Sequence, residues 1–330
     1  MIRLGLRSQW ALLRSALHRW GCSSREQHAL CLPLKPQQGG GVYSFTRTLR
    51  NYLDSQTYDY TTDLGHSYDV LLISAWTTDY RSVRQARRWN PNVRVVHRVD
   101  GSAKAYGRFD DSDDRLARIN TLAHVTVFQS EFSRWVTTVS YPLIKVDGPT
   151  IYNPVDTLLF TPNGEKLALP PGTRVCNAAW STNRMKGTWQ LHVLAQQNPD
   201  VQFILCGRYG ELPECPNLHL LGTIDEEEMA GVMRSCDVFI NLSLNDPCPN
   251  VVIEALSSGL PVLYTDSGGV PELVGDAGLP VTLDNFRTQI DHLVSDLPSY
   301  RQQARERAVT CFDISVIGAQ YLKAIESLRQ

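Results

Sequence analysis

The chain has 330 residues, 42% of them hydrophobic and 20% charged, the balance of a soluble globular enzyme with room for two cores. A formal net charge of −2 excludes a nucleic-acid partner held by an overall basic field, so any anionic ligand must be met by a local cluster of cations. No apolar run approaches the roughly 20 residues that cross a bilayer. The eight cysteines, none of them in a C-x-x-C pair, are expected as reduced, buried small hydrophobes, which points to the cytoplasm.

Residues 1–25 stand apart. They carry no acidic residue, five arginines (Arg3, Arg7, Arg14, Arg19 and Arg25), and Leu6, Trp10, Leu13, Leu17 and Trp20 at helical spacing. Three readings are open for this stretch: a helix lying peripherally on the inner face of an anionic membrane, a plain extension, and a mitochondrial presequence.

From there apolar strands alternate with helical stretches. Strands are predicted at 29–34, 69–75, 93–99, 124–130 and 150–154, with helices over 42–53 and 113–123. A Pro- and Gly-bearing stretch over 161–174 (Pro162, Gly164, Pro170, Pro171, Gly172) reads as a linker. The alternation then restarts, with strands at 174–180, 201–207, 218–222, 237–243, 260–265 and 279–283 and helices near 187–197, 225–235, 250–258 and 286–295. This pattern predicts the α/β class, as two doubly wound parallel-sheet domains facing across a cleft. The expected division is an extension over 1–27, an amino domain over 28–158, a carboxyl domain over 159–312 and a helix over 313–330 that returns to the amino domain. Ligands of such sheets bind in the crevice at the carboxyl ends of the strands.

The segment 237–278, DVFINLSLNDPCPNVVIEALSSGLPVLYTDSGGVPELVGDAG, carries the densest signal. A buried strand is expected to end at Ser243 and give way to a loop with Asp246. Asn250 reads as an N-cap and Val251 to Ser258 as a short helix closed by Gly259. A second strand runs into Gly268-Gly269, and Pro271 opens another helix. Two helix N-termini then point into one crevice, where their free N–H groups suit phosphate oxygens. Glu254, one turn into the first helix, is placed to accept hydrogen bonds from a cis-diol such as a ribose. Upstream, NAAWSTNRMKGTWQL (177–191) puts Arg184 and Lys186 on a loop at a strand end, where fixed cations stabilise a departing diphosphate.

The segment resembles the retaining GT-B glycosyltransferases related to glycogen and sucrose-phosphate synthases. The likeness rests on an acidic pair separated by seven residues (Asp246, Glu254), Gly259, Pro261 and Val262, and the GG-x-P-E turn of Gly268, Gly269, Pro271 and Glu272. It implies a GT-B fold and transfer of a hexose-type sugar from a nucleotide-diphosphate donor, with retention and without a metal or other cofactor. The implied acceptor is a carbohydrate or a lipid-linked one. It also implies that Glu254 holds the donor ribose and that Asp246 with the Gly268–Gly269 backbone holds the hydroxyls of the donated sugar. Lys186, with Arg184 in place of the family's loop arginine, would act on the diphosphate. The glycine loop Gly40-Gly41 would approach the phosphates from the amino domain, joined by Asn250 and Val251. The segment RVVHRVDGSAK places His97, Arg98 and Asp100 at the end of a central strand, facing the crevice; by the resemblance Asp100 would lie beside the reacting carbon, and Ile224 would meet the base. Asp246 departs from the family, which usually has glutamate there.

Three competing readings remain. A D-x-D metal site at 110–114 is opposed by the helix that follows, which Ser112 or Asp113 is expected to cap. An epimerase or a phosphorylase on the same fold is a second, and a non-catalytic nucleotide-sugar binder a third.

Overall fold

The computed structural model describes residues 27–33 and 40–329. The basic stretch 1–25 and Cys22 lie outside the described residues. Two parallel sheets form the frame. The amino-domain sheet comprises β1 (Gln27–Cys31), β2 (Tyr60–Thr61), β3 (Ser67–Ser74), β4 (Arg94–Val99) and β5 (Val125–Phe128) in the order β2-β1-β3-β4-β5. The carboxyl-domain sheet comprises β6 (Thr173–Ala179), β7 (Val201–Gly207), β8 (Leu218–Gly222), β9 (Val238–Asn241), β10 (Val262–Tyr264) and β11 (Gly278–Pro280) in the order β11-β10-β9-β6-β7-β8. Both orders reverse direction once, beside β1 in the first sheet and between β6 and β9 in the second. Loops leaving neighbouring strands diverge at such a reversal and open a crevice at the strands' carboxyl ends.

The helices are α1 (Gly41–Ser55), α2 (Tyr80–Trp89), α3 (Ser112–Asn120), α4 (Glu131–Ser140), α5 (Thr188–Gln197), α6 (Glu226–Ser235), α7 (Asn250–Ser257), α8 (Val270–Val274), α9 (Phe286–Ser295), α10 (Leu297–Cys311) and α11 (Ile314–Arg329). Each sheet buries apolar side chains on both faces, which is why its strands read as continuous apolar runs rather than alternating ones. In the amino domain one face gathers Leu30, Val70, Leu72, Val96 and Val127, and the other Cys31, Leu71, Ile73 and Val95. Helix α6 starts at a capping box, Asp225 accepting from the Glu228 amide while the Glu228 carboxylate accepts from the Asp225 amide. Helix α11 lays Ile317, Tyr321 and Ile325 into the amino-domain core beside Phe45 and Leu49. The chain crosses over where the Val155 amide donates to the Phe312 carbonyl and the Ile314 amide to the Val155 carbonyl. Among the described residues no helix is long and apolar enough to cross a membrane, and the seven described cysteines are free thiols.

Several local expectations need correction. Residues 150–154 form no strand; they run extended with a single bridge from Thr150 to Phe128. Neither Ser112 nor Asp113 caps α3. The Ser112 amide donates to Asp110, and the Asp113 carboxylate faces inward to accept from the Ala103 and Lys104 amides and the Ser102 hydroxyl. Asn250 is the first helical residue of α7 and not its cap, because Pro249 holds the cap position and the Asn250 side chain turns away to accept from Asn153. Helices α2, α4 and α10 go beyond the sequence-based expectation.

Candidate active site

The loops that leave β4, β6 and β9 meet in the crevice. After β6 the chain forms a 3-10 turn over Arg184–Lys186, started by the Asn183 side chain, which accepts from the Met185 amide. Gly187 follows in the left-handed region, φ +66°; a Cβ there would come 2.4 Å from the Leu242 carbonyl oxygen. This close approach, with the Leu244 amide donating to the Met185 carbonyl, fastens the Lys186 turn to the loop that carries Asp246. The Lys186 ammonium lies 2.8 Å from Asp246 Oδ2. Burial opposes its charge, but Asp246 and Tyr106 outweigh burial and hold its pKa above the ordinary lysine value. Arg184 stands two residues earlier on the same turn, where its side chain is exposed and has no hydrogen-bond partner among the described residues.

Gly268 and Gly269 lie against the Asp246 loop. A Cβ on Gly268 would meet the Asp246 carbonyl oxygen at 2.4 Å, and one on Gly269 would meet the Pro247 carbonyl oxygen at 2.1 Å. The Gly269 amide already donates to the Asp246 carbonyl. The second glycine therefore braces Asp246, and the Gly268 backbone packs against the same loop. Val251 is buried in the first turn of α7, so what it offers a ligand is its backbone amide. Ile224 is half-buried at the rim of the carboxyl-domain core. Gly40 and Gly41 sit at the start of α1 with open space where a Cβ would be.

Glu254 is different. It is partly buried on α7, and its carboxylate has no hydrogen-bond partner among the described residues. Its pKa is pushed up to about 8, by burial first and then by Glu226, with Arg47 pulling the other way. Arg47 of α1 and Glu226 of α6 form an ion pair between the two domains.

On the amino side, Asp100 is bound through Oδ1 by Arg98 at 2.9 Å and by Gln129. Burial raises its pKa, Arg98 and Arg108 lower it, and Asp246 across the crevice raises it again, for a net rise. His97 and Arg98 do not face the crevice as expected. His97 is fully buried, its Nε2 2.8 Å from the Ala75 carbonyl and its Nδ1 3.1 Å from the Asn120 amide nitrogen, and burial lowers its pKa to about 4. Arg98 lies over the Phe45 ring and donates to Asn153 as well as to Asp100. Asn153 in turn donates to the Cys248 carbonyl and to Asn250. A polar chain thus runs from Asp100 to the first turn of α7.

Of the residues expected in the site, the structure brings Lys186, Asp246, Gly268 and Asp100 together, Glu254 lies instead in the field of Arg47 and Glu226, and the sequence reading misses the roles of four residues that join the domains. Tyr106 donates its hydroxyl to Asp246 Oδ2 at 3.1 Å. Asn183 and Asn245 hold the Tyr106 and Ala105 carbonyls. Glu272, noted only as part of the GG-x-P-E turn, accepts from the Glu131 and Phe132 amides and so caps α4 of the opposite domain. Its place in the turn is the available signal; Tyr106 carries none, being one aromatic residue in a loop.

Residues 187–296 match the family model described as Glycosyl transferases group 1. Over 96 residues the chain is 31% identical to the O-antigen biosynthesis glycosyltransferase WbnH of Escherichia coli, a match covering 28% of this chain and 28% of the relative. Over 151 residues it is 30% identical to phosphatidyl-myo-inositol mannosyltransferase of Mycolicibacterium smegmatis, covering 41% of this chain and 39% of the relative. The chain thus spans under half the length of these curated relatives. Among solved structures it is similar to Anabaena HepE in complex with UDP and glucose, with a TM-score of 0.70 at 16% identity over 92% of this chain and all of the other. It is also similar to sucrose-phosphate synthase from Thermosynechococcus elongatus, with a TM-score of 0.64 at 18% identity over 89% and 80% of the two chains. The fold is therefore GT-B.

Proposed function

From the premise that residues 187–296 are a group 1 glycosyl transferase domain in a GT-B fold, we propose that this protein is a nucleotide-sugar-dependent glycosyltransferase that retains anomeric configuration and needs no metal. The donor is a nucleotide-diphosphate hexose, and the acceptor is a glycan or a lipid-linked molecule. The observation that carries this reading is the joining of Lys186 and Asp246 at the point where the β6–β9 order reverses, with Asp100 facing them from the other domain.

In this reading the diphosphate lies between the α1 and α7 N-termini, whose free amides favour negative charge. Lys186 gives one N–H to Asp246 and keeps two for the leaving phosphate. Glu254, held without a partner, accepts the ribose hydroxyls, and Ile224 lines the base site. Asp246 and the Gly268 backbone hold the sugar. As the bond from the anomeric carbon to the phosphate oxygen breaks, the acceptor oxygen attacks from the same face. Its proton passes to the departing diphosphate, and Lys186 stabilises the charge that develops there. Asp100 orients the acceptor hydroxyl.

The test is incubation of the purified chain with a panel of nucleotide sugars and acceptors, with and without a chelator, followed by mass spectrometry and anomeric analysis of the products. A new α-linkage from an α-linked donor in the presence of chelator is the expected result. Inversion, or activity only with added divalent ion, overturns the mechanism, and tight nucleotide binding without turnover across the panel favours a binding protein.

A further inference from the structure

The loop after β4 is built with more precision than a connection needs. Asp113, buried to 1% exposure, accepts from the Ala103 amide at 2.6 Å, the Lys104 amide at 2.9 Å and the Ser102 hydroxyl at 3.1 Å. Three bonds to one carboxylate make this stretch a rigid hook. The hook is seated on the carboxyl domain from two sides: Asn245 donates to the Ala105 carbonyl at 2.9 Å, and Asn183 donates to the Tyr106 carbonyl at 3.0 Å. At its tip the Tyr106 hydroxyl donates to Asp246 Oδ2, the same oxygen that receives Lys186, and the Lys186 ammonium stands 5.6 Å from the Tyr106 ring centroid.

One Asp246 oxygen therefore carries both the phenol and the ammonium, while Oδ1 has no partner among the described residues. The amino domain thereby sets the orientation of a carboxylate that belongs to the carboxyl domain. We propose that Tyr106 is a positioning residue that fixes the Asp246 carboxylate when the two domains dock, leaving Oδ1 to read a hydroxyl of the donor sugar. This deepens the glycosyltransferase reading and rests on it. The aspartate at position 246 fits the arrangement, because its short side chain stays within reach of both Lys186 and the hook. Burial and Asp246 push the Tyr106 phenol up to about 12 despite Lys186, so it remains a proton donor at neutral pH.

The experiment separates the sugar from the rest of the donor. Tyr106→Phe keeps the ring and removes the hydroxyl. UDP and GDP, which lack the sugar, are titrated by calorimetry, and KM and kcat are measured for the nucleotide sugar that the panel identifies. Expected are nucleoside-diphosphate affinity within about twofold of wild type, an unchanged melting temperature, and a nucleotide-sugar KM raised roughly tenfold, the scale of one hydrogen bond to a charged group. In the Asp246→Asn background the Tyr106→Phe change should add less than about twofold, since both act through one carboxylate. Additive losses in that cycle, equal weakening of nucleoside diphosphate and nucleotide sugar, or a Tyr106→Phe variant identical to wild type each overturn the Tyr106 role while leaving the glycosyltransferase reading intact. A wild-type chain that neither binds nor turns over any donor overturns the reading itself, and the Tyr106 role with it.

Discussion

The two acidic residues of the 237–278 segment stand eight positions apart in the sequence and in opposite surroundings. Asp246, buried on the loop after β9, is held by an ammonium and a phenol on one oxygen, and its loop is braced by the Gly269 amide. Glu254, partly buried on α7, has no partner for its carboxyl among the described residues, and burial first and then Glu226 push its pKa up to about 8. A carboxylate that is already paired is fixed in place and reads shape; one that is buried and alone gains most when a ligand supplies donors. In the proposed site the Asp246 end is thus preassembled by the protein, and the Glu254 end would be completed by what binds.

The sharpest way to break this contrast is at the Lys186–Asp246 pair. Lys186→Ala removes the cation aimed at the departing diphosphate and leaves Asp246 with Tyr106 alone. Turnover should fall by about 100-fold or more, as for the loss of one transition-state charge partner, with a smaller change in donor KM. Steady-state kinetics check this, and full activity in the variant would remove Lys186 from the mechanism.

Glu254 responds next, and through pH. With a folded pKa of about 8 against the ordinary 4.5, Glu254 keeps a proton in the native chain that the unfolded chain has released. Between those values the native state binds more protons, so this residue makes stability fall as pH rises, and the fall levels off above pH 8. Glu254→Gln should flatten that slope in urea titrations from pH 5 to 9 and stabilise the chain at the alkaline end. A ribose diol favours the charged form, so nucleoside-diphosphate affinity should climb from pH 6 to 8.5. The climb should weaken with a 2′,3′-dideoxy analogue and in Glu254→Gln. Glu254→Ala should lower affinity roughly tenfold, the scale of hydrogen bonds to a charged group, and leave free-sugar binding unchanged. A slope that persists in Glu254→Gln would place the titrating group elsewhere.

The same contrast marks what can be read without coordinates. Strands such as DVLLISA and VQFILCG are legible because a parallel sheet buried on both faces needs continuous apolar runs. Asp246 and Gly268 are legible as neighbours because both lie in one short segment, and the structure packs Gly268 against the Asp246 loop. Helix α4 is hidden by Val136, Thr137, Thr138 and Val139, a β-branched run that favours strand, and it is stabilised by the Ser130 cap and by Glu272 from the other domain. Helix α2 buries only Val83 and Ala86, too thin a stripe for a helical period. Tyr106 acts on Asp246 across 140 positions, and no local pattern encodes a contact of that range. The expectation that His97 faces the crevice fails for a related reason: alternation along β4 does not say which face the Asn120 amide and the Ala75 carbonyl will occupy.

Glu272 offers a middle-sized test of how far the two domains depend on each other. Its carboxylate joins α8 to the first amides of α4 at 2.9 and 3.0 Å and meets the Tyr152 hydroxyl at 3.3 Å. Glu272→Gln keeps the shape but loses the charge at a helix N-terminus, worth about 0.3–1 kcal/mol in exposed positions. The expected result is a severalfold fall in kcat with intact nucleoside-diphosphate binding, because docking of the domains weakens while Glu254 and α7 stay in place. Unchanged kcat would show that the Tyr106 hook and the Asn153 bonds hold the domains without it.

The smallest effect is expected at Arg184. The sequence pairs it with Lys186 as a second cation for the diphosphate, yet on a 3-10 turn residues two apart point about 120° from each other, and its side chain is exposed while that of Lys186 turns in. A cation in water beside the site acts through its field alone, and salt screens that field. Arg184→Ala should therefore reduce kcat by less than about threefold at low ionic strength, and the difference should vanish near 0.5 M salt, where the Debye length falls to a few ångströms. A loss that approaches that of Lys186→Ala and survives high salt would mean that the turn swings Arg184 inward when the diphosphate binds, and would return it to the role its position in the sequence suggests.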